Sequence, residues 1–583
     1  MAKQNDTETK SHSKAFWIVA IFSLALLVRI LHLWDLQSAP FFGCLIGDGE
    51  GYHAWACVIV SGDWMGKDVF YQAPLYPYFL AVIYRLLGTD PTWVLKIQAV
   101  MGAISCVLIL DATWRLFSKR AGILAGLMLT LYGPSLFYEI LIQKSALDLF
   151  FGSLIVWLLC GLIEQRRQRT LVALGASLGA LVLTRENALI FILPILCWLL
   201  FDGLDLWRLL RRSGIRVEKA DAVPPPDDVH SPDPSPRLRL VNIAFFLLGL
   251  SFVLLPVAVR NRHVGGEFHL TTSQLGPNLY IGNNPDASGF YEPLRFARGH
   301  SLYERSDATQ IAEEATGRKM TPAEVSKYYT DQVMNFIRTQ PRAWLQLMGR
   351  KLLLVWNAPE VMDYEDMYTY AEWSWVLQGC RLFHFGGLLP LGVIGFISTW
   401  HQRNRLWFLY AMIASFLIAL MMFYIFGRYR YPLVPFLIPL AAAGVDRLLR
   451  FVRSPEPKTM LHYALVAGVV IAICHVPMVS TANMKSNTAS NLANALTEKK
   501  RYTEAFVFHR RAVRWNPNNP IAHNNFGQLL RQQGKHDDAV QHFQRALKLK
   551  PDYAAARRNL RSLQSNPDGA KRNETRATHD EVE

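Results

Sequence analysis

The sequence predicts an all-α protein: a polytopic bundle of about 11–13 membrane-spanning helices with an α-solenoid at its C-terminal end. Three observations predict it. Of 583 residues, 51% are hydrophobic and only 18% charged, whereas a soluble chain usually carries about a quarter charged residues. The apolar residues gather into Ala15–Trp34, Trp93–Trp114, Ser145–Ile163, Leu240–Val259, Leu406–Phe426, Tyr431–Arg450 and Leu461–Val479, each able to cross a hydrocarbon layer of about 30 Å. From Asn483 onward the chain is hydrophilic, helical in period and repetitive. Disordered, fibrous and small disulfide-rich classes are excluded.

The first element is a polar, basic tail, residues 1–14, followed by an apolar run too long for a secretory signal. Pro40 after Ser38-Ala39 disfavours cleavage, so an uncleaved anchor with a cytoplasmic N-terminus is expected. The net charge of +15 does not point to nucleic acid. It sits in short loops between apolar runs, as in Arg115–Arg120, Arg166–Arg169 and Arg447–Arg453, and this is the topology signal of a membrane protein. Placing those loops inside puts Asp35–Thr92 outside as a whole. The apolar segments Pro74–Gly88 and Ala343–Trp356 then lie in the outer interface, because both are short and the second carries Arg350 and Lys351. About eleven spans result, with the C-terminus outside; counting both segments as spans gives about thirteen.

The expected organisation is a membrane domain over residues 15–482, a repeat region over 483–565 and a disordered tail over 566–583. Within the membrane domain, 35–92 is the first outer loop and 260–341 a long outer loop. Residues 202–239 form a cytoplasmic linker, disordered on account of its prolines and acids. In the repeat region Ala505 and Ala539, Ala512 and Ala546, and Pro517 and Pro551 are each one period of 34 residues apart. Small residues where two helices cross, with a proline closing each unit, resemble the tetratricopeptide repeat.

Candidate chemistry lies in the outer segments. The first loop reads Ile46-Gly-Asp-Gly-Glu-Gly-Tyr52 and then Phe70-Tyr-Gln-Ala-Pro-Leu-Tyr-Pro77. A carboxylate where a helix end meets a water-filled vestibule can accept a hydroxyl proton. An acid just after one N-terminal span, Tyr52 four residues on and a Pro-Leu-Tyr-Pro helix further along resemble the GT-C superfamily of membrane glycosyltransferases. Within it the chain looks like the protein O-mannosyltransferases and aminoarabinose transferases of glycosyltransferase family 39 type. The resemblance implies a GT-C membrane domain and makes Asp48 the catalytic base, with Glu50 the nearby alternative. Glu139 is a second acid facing the same cavity, or else an interfacial glutamate. Arg185, in a short turn at membrane depth, holds a phosphate or pairs with Glu186. In the long loop Asn278, Tyr280, Asn283 and Asn284 suit sugar hydroxyls and ring faces, or form an Asn-Gly turn network. Arg428 and Arg430, in Phe426-Gly-Arg-Tyr-Arg-Tyr-Pro432, suit a lipid phosphate because guanidinium meets phosphate oxygens at two points.

Together these imply a membrane glycosyltransferase that moves a sugar from a polyprenyl phosphate to an extracytoplasmic acceptor with inversion, in protein or glycan glycosylation. Its expected partners are the lipid-linked donor, a protein or glycan acceptor, membrane lipid, and a protein bound through the repeats. No cofactor is required. A divalent metal ion held by Asp48 and Glu139 is an alternative source of positive charge, which the arginines make unnecessary. The compact basic loops fit a bacterial inner membrane better than the endoplasmic reticulum, with site and repeats on the extracytoplasmic side. The competing classes are a flippase for lipid-linked sugars and a membrane assembly scaffold built around the repeats. A flippase is expected to show internal repeats between membrane halves and ionisable residues at the bilayer midplane, which the sequence lacks, and a scaffold does not account for acids and arginines gathering at one membrane face.

Overall fold

The computed structural model describes residues 2–201, 236–299 and 301–565. The expected disordered tail and most of the expected linker lie outside those residues. Residues 236–239, assigned to the linker, instead form the first turn of the helix Pro236–Gly265, where a proline at the helix start costs no hydrogen bond.

Among the described residues every regular element is helical. Seven helical stretches are long and apolar enough to cross a membrane: Ser13–Leu36, Pro91–Leu116, Ser145–Glu164, Pro236–Gly265, Phe385–Met421, Gly427–Arg453 and Pro457–Cys474. Each overlaps one apolar run of the sequence, although Phe385–Met421 begins well before the run Leu406–Phe426, and the chain is a polytopic membrane protein. The expected eleven crossings are not all met by single long helices. Lys119–Thr130 and Gly133–Glu139 make an eighth only as a pair bent by 49°. Gln168–Val182 and Glu186–Phe201 are shorter apolar helices, separated where Thr184 and Arg185 turn inward to bind a buried carboxylate, Asp148.

The two segments read as interfacial remain below spanning length. Leu75–Leu87 has 13 residues and Pro341–Trp356 has 16, about 20 and 24 Å at 1.5 Å per residue. Leu75–Leu87 buries Tyr76, Leu80 and Tyr84 against the helix Asp48–Val60. In Pro341–Trp356, Lys351 turns inward and donates to Asn283 Oδ1 at 3.1 Å and the Met421 carbonyl at 3.0 Å.

Close helix approach rests on small residues, as bilayer packing requires. Gln168–Val182 crosses Pro236–Gly265 at Gly175 and Gly249, where an added Cβ would land on the carbonyls of Phe246 and Val172. Several buried charges inside the bundle are paired, as with Arg29 and Glu139 at 2.6 Å and Arg430 and Glu360 at 2.8 Å.

The long outer loop is largely helical, with Leu275–Gly282, Ser301–Thr316 and Pro322–Thr339. The last begins in a capping box, Thr321 with Glu324, which satisfies the first free amides. The repeat region folds as Thr481–Glu498, Tyr502–Trp515, Pro520–Gln532, His536–Leu549 and Ala554–Gln564. Ala505, Ala512, Ala539 and Ala546 are fully buried at the helix crossings, as the 34-residue pattern predicts. This region docks on the membrane domain. Lys499 donates to the Gly43 carbonyl at 2.6 Å, Asn491 to the Tyr364 carbonyl at 2.8 Å, and Lys485 to Glu372 at 2.8 Å. Phe508 meets Phe41 edge-on at 5.9 Å. The repeats therefore rest on the end of the bundle that carries the first loop.

Candidate active site

The helix Asp48–Val60 starts at Gly47, whose φ of 56° is left-handed. An added Cβ there would also strike the Tyr364 ring, so only glycine fits. Asp48 is the first helical residue, where the helix dipole favours negative charge. At 100° per residue Tyr52 returns to the Asp48 side of the helix, while Glu50 points about 200° away.

Asp48 and Tyr52 line a cavity of about 220 Å³ together with Gln72, Lys144, Arg185, Glu186, Asn278, Glu304, Asp363, Tyr364 and Arg428. Its polar end is organised on Arg428. One guanidinium nitrogen lies 2.8 Å from Asp48 Oδ2 and the other 2.6 Å from Asp363 Oδ2. The second is an ion-pair contact without hydrogen-bond alignment, since Asp363 Oδ2 has no hydrogen-bond partner among the described residues. Arg428 also donates to Gln143 Oε1 at 2.8 Å. Gln72 reaches Asp48 Oδ1 at 3.5 Å, and the Tyr52 hydroxyl has no partner among the described residues.

Arg185 lines the cavity but spends its charge on Asp148, at 3.0 Å from Nε and 2.5 Å from Nη2. The alternative of an Arg185–Glu186 pair is not what forms: Glu186 accepts from Thr272 at 3.0 Å and Gln274 at 2.7 Å. Lys144 is different. It is buried, 7% exposed, lines the cavity, and its ammonium makes no hydrogen bond or ion pair among the described residues. Leu189, Leu275, Leu420 and Phe423 form an apolar wall in the same cavity.

Burial works against the charge on Asp48, but Arg428 and Lys144 outweigh it and hold its pKa below the ordinary value. Asp363 goes the other way. Burial, reinforced by the charge on Asp48, pushes it up to about 7 despite Arg428. Glu304, which accepts from the Tyr291 hydroxyl at 2.7 Å, is also pushed up to about 7, by burial and by Asp48. Burial lowers the Lys144 pKa, against the pull of Glu186. Near neutral pH Asp48 is thus held in its ionised form beside Arg428, while Asp363 and Glu304 stand close to half-protonation. A proton acceptor stands beside neighbours that can carry protons.

Of the residues singled out in the sequence, Asp48, Tyr52, Arg185, Asn278 and Arg428 meet in this cavity. Glu50, Glu139, Tyr280, Asn283, Asn284 and Arg430 lie outside its lining. Glu50 is exposed on the far side of its helix. Glu139 is clamped by Arg29 at 2.6 and 3.0 Å, so it does not share a ligand site with Asp48. Among the described residues no group of three or more His, Cys, Asp or Glu side chains is placed to hold a metal ion. Arg430 is bound by Glu360 and by the carbonyls of Val355, Asn357 and Pro359. It braces the segment after Trp356 and does not face a ligand. Asn283 receives Lys351 and Trp344, Asn284 caps its own helix, and Tyr280 packs on Tyr329 at 5.2 Å. Both asparagines are thus engaged by the protein itself.

Sequence reasoning missed Lys144, Glu304 and Asp363. Lys144 stands directly after Glu139–Gln143, and Asp363 lies in the acidic run Asp363-Tyr-Glu-Asp366. That run is the signal that was available.

No curated protein sequence matches the chain. Among solved structures it is similar to the oligosaccharyltransferase of Archaeoglobus fulgidus in its apo form, with 13% identity and a TM-score of 0.41, covering 84% of this chain and 59% of that one. It is also similar to ArnT from Cupriavidus metallidurans bound to undecaprenyl phosphate, with 16% identity and a TM-score of 0.41, covering 95% of this chain and 79% of that one. The chain spans about three fifths of the archaeal enzyme's length. Residues 485–552 match the tetratricopeptide repeat, and residues 71–217, from the cavity-lining Gln72 past Arg185, match the family of dolichyl-phosphate-mannose-protein mannosyltransferases.

Proposed function

We propose that the protein is an integral-membrane glycosyltransferase that takes a sugar from a polyprenyl-phosphate carrier and passes it to an acceptor hydroxyl at the cavity. The observation that carries this reading is one cavity holding an ionised carboxylate, a cation without a counter-ion and an apolar wall. These are the three things a hydroxyl nucleophile, a phosphate leaving group and an isoprenoid chain need. The match of residues 71–217 to a family named for a dolichyl-phosphate-linked mannose donor supports the same class.

In this reading the acceptor oxygen attacks the anomeric carbon while Asp48 takes its proton. The bond from that carbon to the phosphate oxygen breaks, and its electron pair leaves on the polyprenyl phosphate. Attack from the face opposite the phosphate inverts the anomeric centre. Lys144 and Arg428 meet the growing phosphate charge from buried positions, where preorganised charge is most effective. Arg428 also orients Asp48 through their 2.8 Å contact. Tyr52 and Asn278 offer hydrogen bonds to the sugar. The site faces the extracytoplasmic side of a bacterial inner membrane, because the basic loops then lie in the cytoplasm.

The test is transfer of radiolabel from a polyprenyl-phosphate sugar by the purified protein in detergent, with water or a hydroxylated peptide as acceptor. Release of labelled product that depends on Asp48 supports the proposal. No turnover with any of the common polyprenyl-phosphate hexoses and aminosugars overturns it.

A further inference from the structure

The repeat region touches the loop that aims Asp48, and it does so at both ends of that loop. Residues 43–47 lead from the turns after the span Ser13–Leu36 into the helix Asp48–Val60. The loop is bounded by two glycines in left-handed backbone, Gly43 with a φ of 75° and Gly47 with a φ of 56°. Residues 44–46 lie in no helix or turn, so the course of the loop is set by what rests on it. At its first end Lys499 donates to the Gly43 carbonyl at 2.6 Å. At its second end the Tyr364 ring fills the place of the Cβ that Gly47 lacks, and the Tyr364 carbonyl accepts from Asn491 Nδ2 at 2.8 Å. Asn491 and Lys499 both belong to the repeats, on and directly after the helix Thr481–Glu498.

Tyr364 stands in the segment 357–374, whose only regular structure is two short helical turns, Met367–Tyr370 and Ala371–Trp373. Its first half is bound to the membrane domain. Glu360 pairs with Arg430 at 2.8 Å, Asp363 meets Arg428 at 2.6 Å, and the Tyr364 hydroxyl donates to the Gly299 carbonyl at 2.5 Å. Its second half is bound to the repeats. Glu372 accepts from Lys485 and Arg511, and Phe41 gathers Tyr370, Trp373 and Phe508 around it. A segment with little structure of its own is thus clamped between the cavity and the solenoid.

Docking for stability alone would not need contacts that converge on the residues before Asp48. Transfer does need them, because a misplacement of about 1 Å can cost about a hundredfold in rate. Asp48 is the first residue of its helix and lies 2.8 Å from Arg428, so any shift of the loop is passed to its carboxylate.

We propose that Asn491 and Lys499 are positioning residues: the repeats hold the 43–47 loop directly at Gly43 and through Tyr364 at Gly47, and so keep Asp48 beside Arg428. The consequence for transfer rests on the glycosyltransferase reading; the bracing of the loop does not. The repeats are then part of the transfer site itself.

The experiment compares full-length wild type in detergent with Asn491→Ala/Lys499→Ala and with Lys499→Ala alone, whose side chain is exposed and takes no packing with it. Amide hydrogen exchange over residues 43–52 should speed up in both, more in the double variant, with Ser145–Glu164 unchanged. With a radiolabelled polyprenyl-phosphate sugar and water as acceptor, kcat should fall at least about tenfold in the double variant at little-changed donor KM. The acid limb of its kcat profile should move to higher pH as Asp48 slackens from Arg428. Lys499→Arg, which keeps a donor, should return the single variant close to wild type. Partial unfolding would lower the active fraction and leave the pH profile where it was. Unchanged exchange over 43–52, or faster exchange with kcat and pH profile unaltered, overturns the proposal. Should the double variant not fold, Lys499→Ala against Lys499→Arg decides by the same readouts. A wild type that exchanges more slowly than its variants but turns nothing over sinks the glycosyltransferase reading alone; turnover with equal exchange sinks the brace alone.

Discussion

Replacing Asp48 by Asn separates the contact this carboxylate makes with Arg428 from the role proposed for it in transfer. It is one of two acids flanking Arg428, at 2.8 Å against 2.6 Å for Asp363, and in the proposed reaction it is the proton acceptor. The amide keeps the shape and loses the charge. Removing one partner of a buried pair usually costs about 3–5 kcal/mol. Here Asp363 remains on the other guanidinium nitrogen, and without the repulsion of Asp48 it ionises more readily, so the loss of stability falls below that range. The loss of turnover does not benefit from this compensation. A positioned general base contributes about 10²–10⁴-fold, or about 3–5 kcal/mol of barrier at 1.36 kcal/mol per tenfold. Turnover of a radiolabelled polyprenyl-phosphate sugar should therefore fall at least a hundredfold in Asp48→Asn, with donor binding retained and the melting transition shifted little. Asp363→Asn supplies the contrast, because it removes an equal neighbour of Arg428 but not the base, and should lose less than about tenfold. Two variants equally impaired, or Asp48→Asn within tenfold of wild type, would refute the base assignment and leave Asp48 as an anchor for Arg428.

Four further outcomes follow from the same geometry. Lys144→Gln should raise the donor KM at least tenfold with a smaller effect on kcat, because the cavity loses a cation that no protein group occupies; steady-state kinetics over donor concentration check this. Donor affinity should fall as pH rises through about 7. There Asp363 and Glu304 lose their protons and add negative charge beside the phosphate; the Asp363→Asn/Glu304→Gln double variant should flatten that profile. The same raised pKa values mean the folded state holds these protons more tightly than the unfolded one. Their contribution to stability is present at low pH and is lost between about pH 4 and 7. Arg430→Gln should lower thermal stability, by about 3–5 kcal/mol for an unpaired buried Glu360, without a selective rise in donor KM. Gly47→Ala should cost about 1–2 kcal/mol from its left-handed backbone alone, and more from the Tyr364 ring, with turnover falling as Asp48 shifts; a melting curve and an activity assay read the two effects.

Local pattern by itself determined the secondary structure and the class of the protein. Twenty apolar residues in succession have few alternatives to a membrane helix, and the seven runs recur as the seven long helices. The alanines and prolines at 34-residue spacing were likewise enough for the repeats, because each repeat is a local unit whose core positions recur with the period. Asp48 and Tyr52 were legible for a similar reason: four residues apart on one helix, they share a face whatever surrounds them. Tertiary structure decided what the charged residues do. Arg428 and Arg430 look alike in sequence, two residues apart. Yet one turns to Asp48 and Asp363 in the cavity and the other to Glu360 and three carbonyls. Lys144 stands out only because the acids around it, Asp48 and Glu186 among them, make no ion pair with it, and Glu139 is withdrawn from the site because Arg29, on a distant helix, reaches it first. In a membrane interior a buried charge takes its role from its counter-charge. Counter-charges here come from segments far apart in the chain, so only the packed bundle determines which ions cancel and which remain for a ligand.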